Sequence, residues 1–234
     1  MSTTINHNHT NDPMSILEAR QKDIWRIFKI MSEFVDGFDL LSRTAPAVSI
    51  FGSARMKEGS KYYELTRRVA FELARTGYAV VSGGGGGLME AANRGAKEAC
   101  GQSIGLNIAL PFEQKSNDYI DPDKLMTFQH FFVRKVMFVK YAQGFVVMPG
   151  GYGTIDEFSE AITLIQTQKT MAFPVILMGK SYWQKFLDWM TETAVAEGCI
   201  SQGDLEIFHV CDEPDEVVQI IKEFGLRHGY VTNF

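Results

Sequence analysis

Cysteine is scarce: Cys100, Cys199 and Cys211 are the only three in 234 residues. They are scattered without C-x-x-C spacing, so neither a disulfide framework nor a zinc site is suggested, and buried free thiols in a reducing cytosol are the expectation. Long apolar runs are also lacking. None approaches the ~18 residues of a membrane span, and Met1 to Pro13 is polar rather than basic and then apolar, so no signal segment is read and a cytoplasmic location with no membrane partner is expected. Basic runs are missing too. Lys and Arg number 23 against 28 Asp and Glu, a net charge of −5, which leaves nothing to track a phosphodiester backbone and excludes nucleic acid as a main partner. His7 and His9 in the polar start form no metal-binding set, and no metal site is expected.

What is present is a chain long enough to bury about 70% of the surface its unfolded form exposes. Residues 1–14 carry too little apolar surface to offset the entropy of ordering and read as a disordered tail. Over residues 15–45, Ile24, Ile27, Phe28, Met31, Phe34, Val35 and Phe38 recur at three- and four-residue steps. That is the period of an amphipathic helix, an extension that must dock on its own domain or on a second subunit.

From residue 46 to 226 strands and helices alternate. Strands are predicted at Ala47–Phe51, Tyr78–Val81, Ile104–Leu110, Leu125–Phe132, Phe145–Met148, Val175–Met178 and Ile207–Cys211. Helices are predicted at Tyr62–Arg75, Leu88–Cys100, Val133–Ala142, Thr154–Gln168, Tyr182–Ala196 and Pro214–Phe224. Residues 227–234 read as a tail. Near-continuous apolar strands in βαβ alternation imply the α/β class: a Rossmann-like, three-layer fold with a mostly parallel sheet and helices on both faces. Ligands collect at the carboxyl ends of such strands, which directs attention to four segments.

Gly52-Ser53-Ala54-Arg55 leaves the first strand, and its small residues let backbone approach a ligand, although an ordinary turn would look the same. Ser82 to Met89 contains five consecutive glycines between strand and helix, a place for backbone to meet an anion or ribose, or simply a loop. It is not a Walker loop, for which Gly-Lys-Ser/Thr would have to stand where Gly87-Leu88-Met89 does. Nor is it the dinucleotide fingerprint, whose third glycine would fall on Leu88. Pro149 to Glu157 frees the backbone with Gly150, Gly151 and Gly153 and offers Thr154 as a helix cap or phosphate donor. Asp156 and Glu157 follow, within the first turn of the expected helix, where the macrodipole alone would favour acids. Phe131-Phe132-Val133-Arg134-Lys135 sets two cations at a helix start, against the dipole unless an anion offsets them.

Taken together, Gly83-Gly84-Gly85-x-Gly87-Leu88-Met89-Glu90-Ala91-Ala92-Asn93, Arg134-Lys135 and Pro149-Gly150-Gly151-Tyr152-Gly153-Thr154-x-x-Glu157 resemble the lonely guy family. Its members are cytokinin riboside 5′-monophosphate phosphoribohydrolases, long labelled lysine decarboxylases. The similarity runs from about Ala47 to Phe224. It implies a dimer or larger assembly and cofactor-free hydrolysis of a nucleoside 5′-monophosphate to free base and ribose 5-phosphate. By the resemblance, Arg134 and Glu157 match the catalytic pair, and Lys135, the stretch Gly151, Tyr152, Gly153, Thr154 and Asp156, and Thr163 match nucleotide contacts. Gly52, Ser53, Gly84, Gly85 and Gly87 complete the expected binding set. Where the plant-type pattern reads Met-His-x-Arg-Lys, Phe131 and Phe132 stand instead, either to stack on a purine or to pack in the core.

Overall fold

The computed structural model describes residues 13–111, 115–230 and 233, the first eleven of them as backbone. Of the expected tail at 1–14, residues 1–12 lie outside them, whereas Pro13 and Met14 already belong to the first helix. Helix α1 is Pro13–Ser42. Then follow β1 (Ala47–Phe51), α2 (Lys61–Arg75), β2 (Ala79–Ser82), α3 (Leu88–Glu98), β3 (Ser103–Ile108), β4 (Leu125–Phe128) and α4 (Phe131–Lys140). The second half comprises β5 (Ala142–Val147), α5 (Tyr152–Gln166), β6 (Val175–Met178), α6 (Lys180–Trp189), β7 (Phe208–Cys211) and α7 (Pro214–His228).

Among the described residues the strands form one sheet in the order β4-β3-β2-β1-β5-β6-β7, and every neighbouring pair is parallel. Successive residues of β1 explain the three layers. Ala47 and Phe51 point into a core shared with α4, α5 and α6, through Met137, Phe138, Phe158 and Trp183. Val48 and Ile50 point into a second core built with α2, α3 and α7, through Tyr63, Val69, Leu88, Ala91, Val217 and Ile221. A strand buried on both faces is apolar on both, which is why β1 shows no alternation; its one polar residue, Ser49, is buried with its hydroxyl donating to Phe138 O. The Rossmann-like architecture is thus the observed one.

The chain leaves β1 toward β2, β3 and β4, then crosses back to place β5 on the other side of β1. The order therefore reverses between β1 and β5, and a crevice opens at their carboxyl ends.

Helix α1 answers part of the docking question. Its Ile30, Phe34 and Phe38 pack on the core, and Gly37 lies so close to α4 that an added Cβ would stand 2.8 Å from the Met137 sulfur. Its opposite face, with Ile24, Ile27, Phe28, Met31 and Val35, is exposed in the single chain.

Several boundaries differ from expectation. The predicted strand Leu125–Phe132 ends at Phe128, and Phe131 and Phe132 already belong to α4; aromatic residues carry the apolar pattern past the true strand end. The helix expected to continue from Tyr182 to Ala196 becomes a π-helix over Met190–Val195. Of the thiols expected to be buried only Cys211 is; Cys100 and Cys199 sit at exposed turns. In the expected tail at 227–234, α7 extends to His228 and Asn233 is 3% exposed. No helix of the described residues is long and apolar enough to cross a membrane.

Candidate functional site

A cavity of about 660 Å³ occupies the crevice. Its floor is the end of β1 and the turn after it, Ile50 to Met56; one wall is the turn Gly150 to Thr154, and Gly83, Met89, Ile108, Leu110, Phe131, Phe138 and Tyr182 complete it. Backbone bonds weld the turns together: Ser53 N donates to Pro149 O at 3.0 Å, and Leu88 N donates to Ser53 O at 2.9 Å. Tyr182 donates its hydroxyl to Gly150 O at 2.8 Å and so fixes the third turn from α6.

Arg134 and Glu157 meet inside this cavity. The Arg134 Nη2 to Glu157 Oε1 separation is 3.6 Å, and the side chains are 13% and 5% exposed. Arg134 lies against the rings of Phe131 and Phe138, at 5.2 and 5.6 Å from their centroids. Its Nε is buried and has no hydrogen-bond partner among the described residues. A desolvated guanidinium with a free donor is an unfinished anion site.

Burial pushes the Glu157 carboxyl up from 4.5 to about 7, with Arg134 and Lys135 opposing the rise. Burial likewise lowers Arg134, opposed by Glu157 and Asp156. The expected explanation by the helix dipole fails, because α5 begins at Tyr152 and the acids are its fifth and sixth residues; the dipole acts on the first turn.

The raised Glu157 has a consequence for stability. Its folded pKa exceeds its ordinary value, so between about pH 4.5 and 7 the folded chain holds more of this proton than the unfolded one, and stability falls as pH rises. Full ionisation corresponds to about 3 kcal/mol. The stability of Glu157→Gln relative to the parent chain is therefore expected to shift in the variant's favour by up to about 3 kcal/mol between about pH 5 and pH 8. Urea unfolding at the two pH values measures it, and a pH-independent difference would contradict it.

Lys135 stands just outside the cavity. Its Nζ is 2.9 Å from Asp156 and 3.2 Å from Glu160. Burial works against its charge, but the Asp156 bond and the charges of Glu157 and Glu160 outweigh it and raise its pKa.

The expected residues divide accordingly. Gly52, Ser53, Gly151, Tyr152, Gly153, Thr154, Arg134 and Glu157 line the cavity, with Tyr152 at its rim, 94% exposed. Thr154 is not the helix cap, which is Gly151, but sits buried beneath Gly150. Lys135 and Asp156 pair with each other beside the cavity without lining it. Gly84, Gly85 and Gly87 face protein instead. Gly84 O and Gly85 O accept from Asn117, and a Cβ at Gly87, where φ is +67, would come within 2.5 Å of Ser53 O. None of the three lines this cavity, and at Gly87 the close approach of Ser53 and Ala54 leaves room for glycine alone. Thr163 lies more than a turn beyond Glu157 on α5, exposed, its hydroxyl donating to Ser159 O. Phe131 and Phe132 are each 51% exposed, so neither is a core residue; Phe131 lines the cavity.

The expected binding set omitted Met56, Met89, Ile108, Leu110, Phe138 and Tyr182. Ile108 ends β3, and a carboxyl-end rule applied to every strand would have found it. Tyr182 carries no local signal.

The family model described as possible lysine decarboxylase matches residues 89–221. A cytokinin riboside 5′-monophosphate phosphoribohydrolase of Arabidopsis thaliana is 26% identical over 188 residues, 79% of this chain and 86% of its own length. One of Rhodococcoides fascians is 24% identical over 180 residues, 76% of this chain and 90% of that protein. Among solved structures, the molybdenum cofactor binding protein from Rippkaea orientalis superposes with a TM-score of 0.56 at 20% identity, over 77% of this chain and 98% of that one. That likeness speaks for the fold alone. With more than half of its length matched by the family model, the chain belongs to the possible lysine decarboxylase family, of the lonely guy type.

Proposed function

We propose that the cavity hydrolyses the N-glycosidic bond of a purine nucleoside 5′-monophosphate, with adenine or an N6-modified adenine as base. The observation that carries this reading is the buried Arg134–Glu157 pair beside the amino end of α5. Backbone amides at Gly151 to Gly153, together with the Gly52-Ser53 turn, suit a 5′-phosphate. Arg134 offers its unpartnered donor to phosphate or ribose oxygens. The apolar wall of Met89, Ile108, Leu110 and Phe131 suits a base.

As the C1′–N bond breaks, positive charge grows on the ribose ring, and the Glu157 carboxylate stabilises it. Water adds to C1′ and gives one proton to Glu157, while the leaving base takes up one proton at nitrogen from solvent, to which Glu157 afterwards returns its own, so that one water is consumed for each base released. A carboxyl titrating at about 7 holds both of its forms near neutrality, as this proton traffic requires. All of these steps use the chain's own residues and water.

A second reading is a non-catalytic carrier, since the fold is shared with a molybdenum cofactor binding protein and fold alone does not fix function. Incubation with a panel of purine nucleoside monophosphates separates the two. The hydrolase releases free base and ribose 5-phosphate in equal amounts, whereas a carrier returns intact nucleotide. Lysine decarboxylation finds no support at Lys135, whose ion pairs and raised pKa keep it protonated and unsuited to imine formation. We also read the chain as a cytoplasmic homodimer or larger homo-oligomer, in keeping with the exposed apolar face of α1. A dimeric mass by light scattering at micromolar concentration is expected, and a monomeric one would contradict it.

A further inference from the structure

Helix α4 carries Arg134 and Lys135 yet has no side-chain cap of its own at His130 and no acid in its first turn. A helix start leaves four backbone N–H groups without intrahelical partners, and its positive end favours an anion. Here the anion comes from α1. The Glu33 carboxylate accepts from Gln129 N at 2.9 Å and His130 N at 3.3 Å, and His130 Nδ1 stands 3.2 Å from it. The Glu33 side chain is only 12% exposed.

The other end of α4 is held in a complementary way. Asn233 donates Nδ2 to Val139 O at 2.6 Å and to Ala142 O at 2.8 Å, and its backbone N donates to Lys140 O at 2.9 Å. Thr170 in turn donates to Asn233 O at 2.9 Å. Donors at the negative end and a carboxylate at the positive end match the helix dipole from both sides.

We propose that Glu33 and Asn233 are positioning residues that clamp α4 at its two ends and thereby hold the Arg134 guanidinium at Glu157. Arg134 is the fourth residue of α4, and its backbone N donates to His130 O at 3.3 Å. A shift of the Glu33-held turn therefore moves Arg134 directly. Both clamping residues lie outside the alternating segment 46–226, so the terminal parts of the chain would tune a site built by its middle. This inference rests on the role proposed for Arg134.

The test uses the intact chain with Glu33→Ala, Glu33→Gln and the isosteric Asn233→Asp, each read in two ways. In the first, backbone hydrogen exchange without nucleotide should speed up about tenfold or more at Gln129 to Arg134 in Glu33→Ala, and at the carboxyl end of α4 in Asn233→Asp, while β1 and β5 amides stay unchanged. In the second, AMP affinity and turnover should fall about tenfold in Glu33→Ala and recover in part in Glu33→Gln, which keeps one acceptor. Against an Arg134→Ala background, Glu33→Ala should add little, because its effect passes through Arg134.

Unchanged α4 exchange would overturn the clamp, as would Glu33→Ala losses equal in both backgrounds. Loss of melting temperature with unaltered AMP affinity and turnover per folded molecule would leave Glu33 merely structural and also overturn it. If the parent chain released no base, the hydrolase reading would fall, while exchange and AMP affinity would still decide the clamp.

Discussion

Glu157→Gln is expected to lower kcat by roughly 100-fold or more, on the order of 3 kcal/mol, while AMP affinity changes little. The reason is where charge appears. Bound nucleotide carries no positive charge on its ribose, so the carboxylate contributes most once the glycosidic bond is breaking. Asp156→Asn is the control: Asp156 shares the turn of α5 but is exposed and paired with Lys135 outside the cavity. Its rate should fall much less. Equal damage from the two substitutions would mean that the acids act together, and a full rate in Glu157→Gln would remove Glu157 from the chemistry. Steady-state kinetics with isothermal titration of AMP provides both numbers.

Arg134→Ala should behave differently, weakening AMP binding about 10- to 100-fold as well as slowing turnover, because a charge-assisted contact already made in the bound state is lost. It should also move the pH profile. Arg134 is the largest influence opposing the rise of the Glu157 pKa. Its removal should push that pKa further up, so the rise of activity with pH, which tracks Glu157 ionisation near 7, should shift to higher pH. A rate defect with unchanged AMP affinity would place Arg134 on the transition state alone, against the phosphate or ribose contact proposed for it.

How far the sequence could be read varies with the range of the forces involved. The βα alternation, the parallel sheet and the crevice at strand ends follow from local patterns such as Ala47–Phe51, and they agree with the structure. The end of β4 did not follow, since Phe131 and Phe132 prolong an apolar run that packing stops at Phe128. The glycine turns were visible, but not which backbone faced a cavity. Gly52 and Gly151 line it, whereas Gly84 and Gly87 face Ile120 and Ser53. Glu157 stood out by its motif, yet its titration near 7 comes from burial in three dimensions, and the dipole argument offered from sequence has the wrong register. Glu33 reaches α4 across 96 positions of the chain, a contact no local pattern announces.

The central claim is that this crevice cleaves a nucleotide held by its 5′-phosphate. Parallel incubation of the purified chain with AMP and with adenosine, followed by chromatography of free adenine, tests it most directly. The account predicts adenine and ribose 5-phosphate from AMP and almost none from adenosine, since the turn at Gly151 to Gly153 and Arg134 have no phosphate to hold in the nucleoside. Equal release from both, or AMP bound and recovered intact, would contradict it.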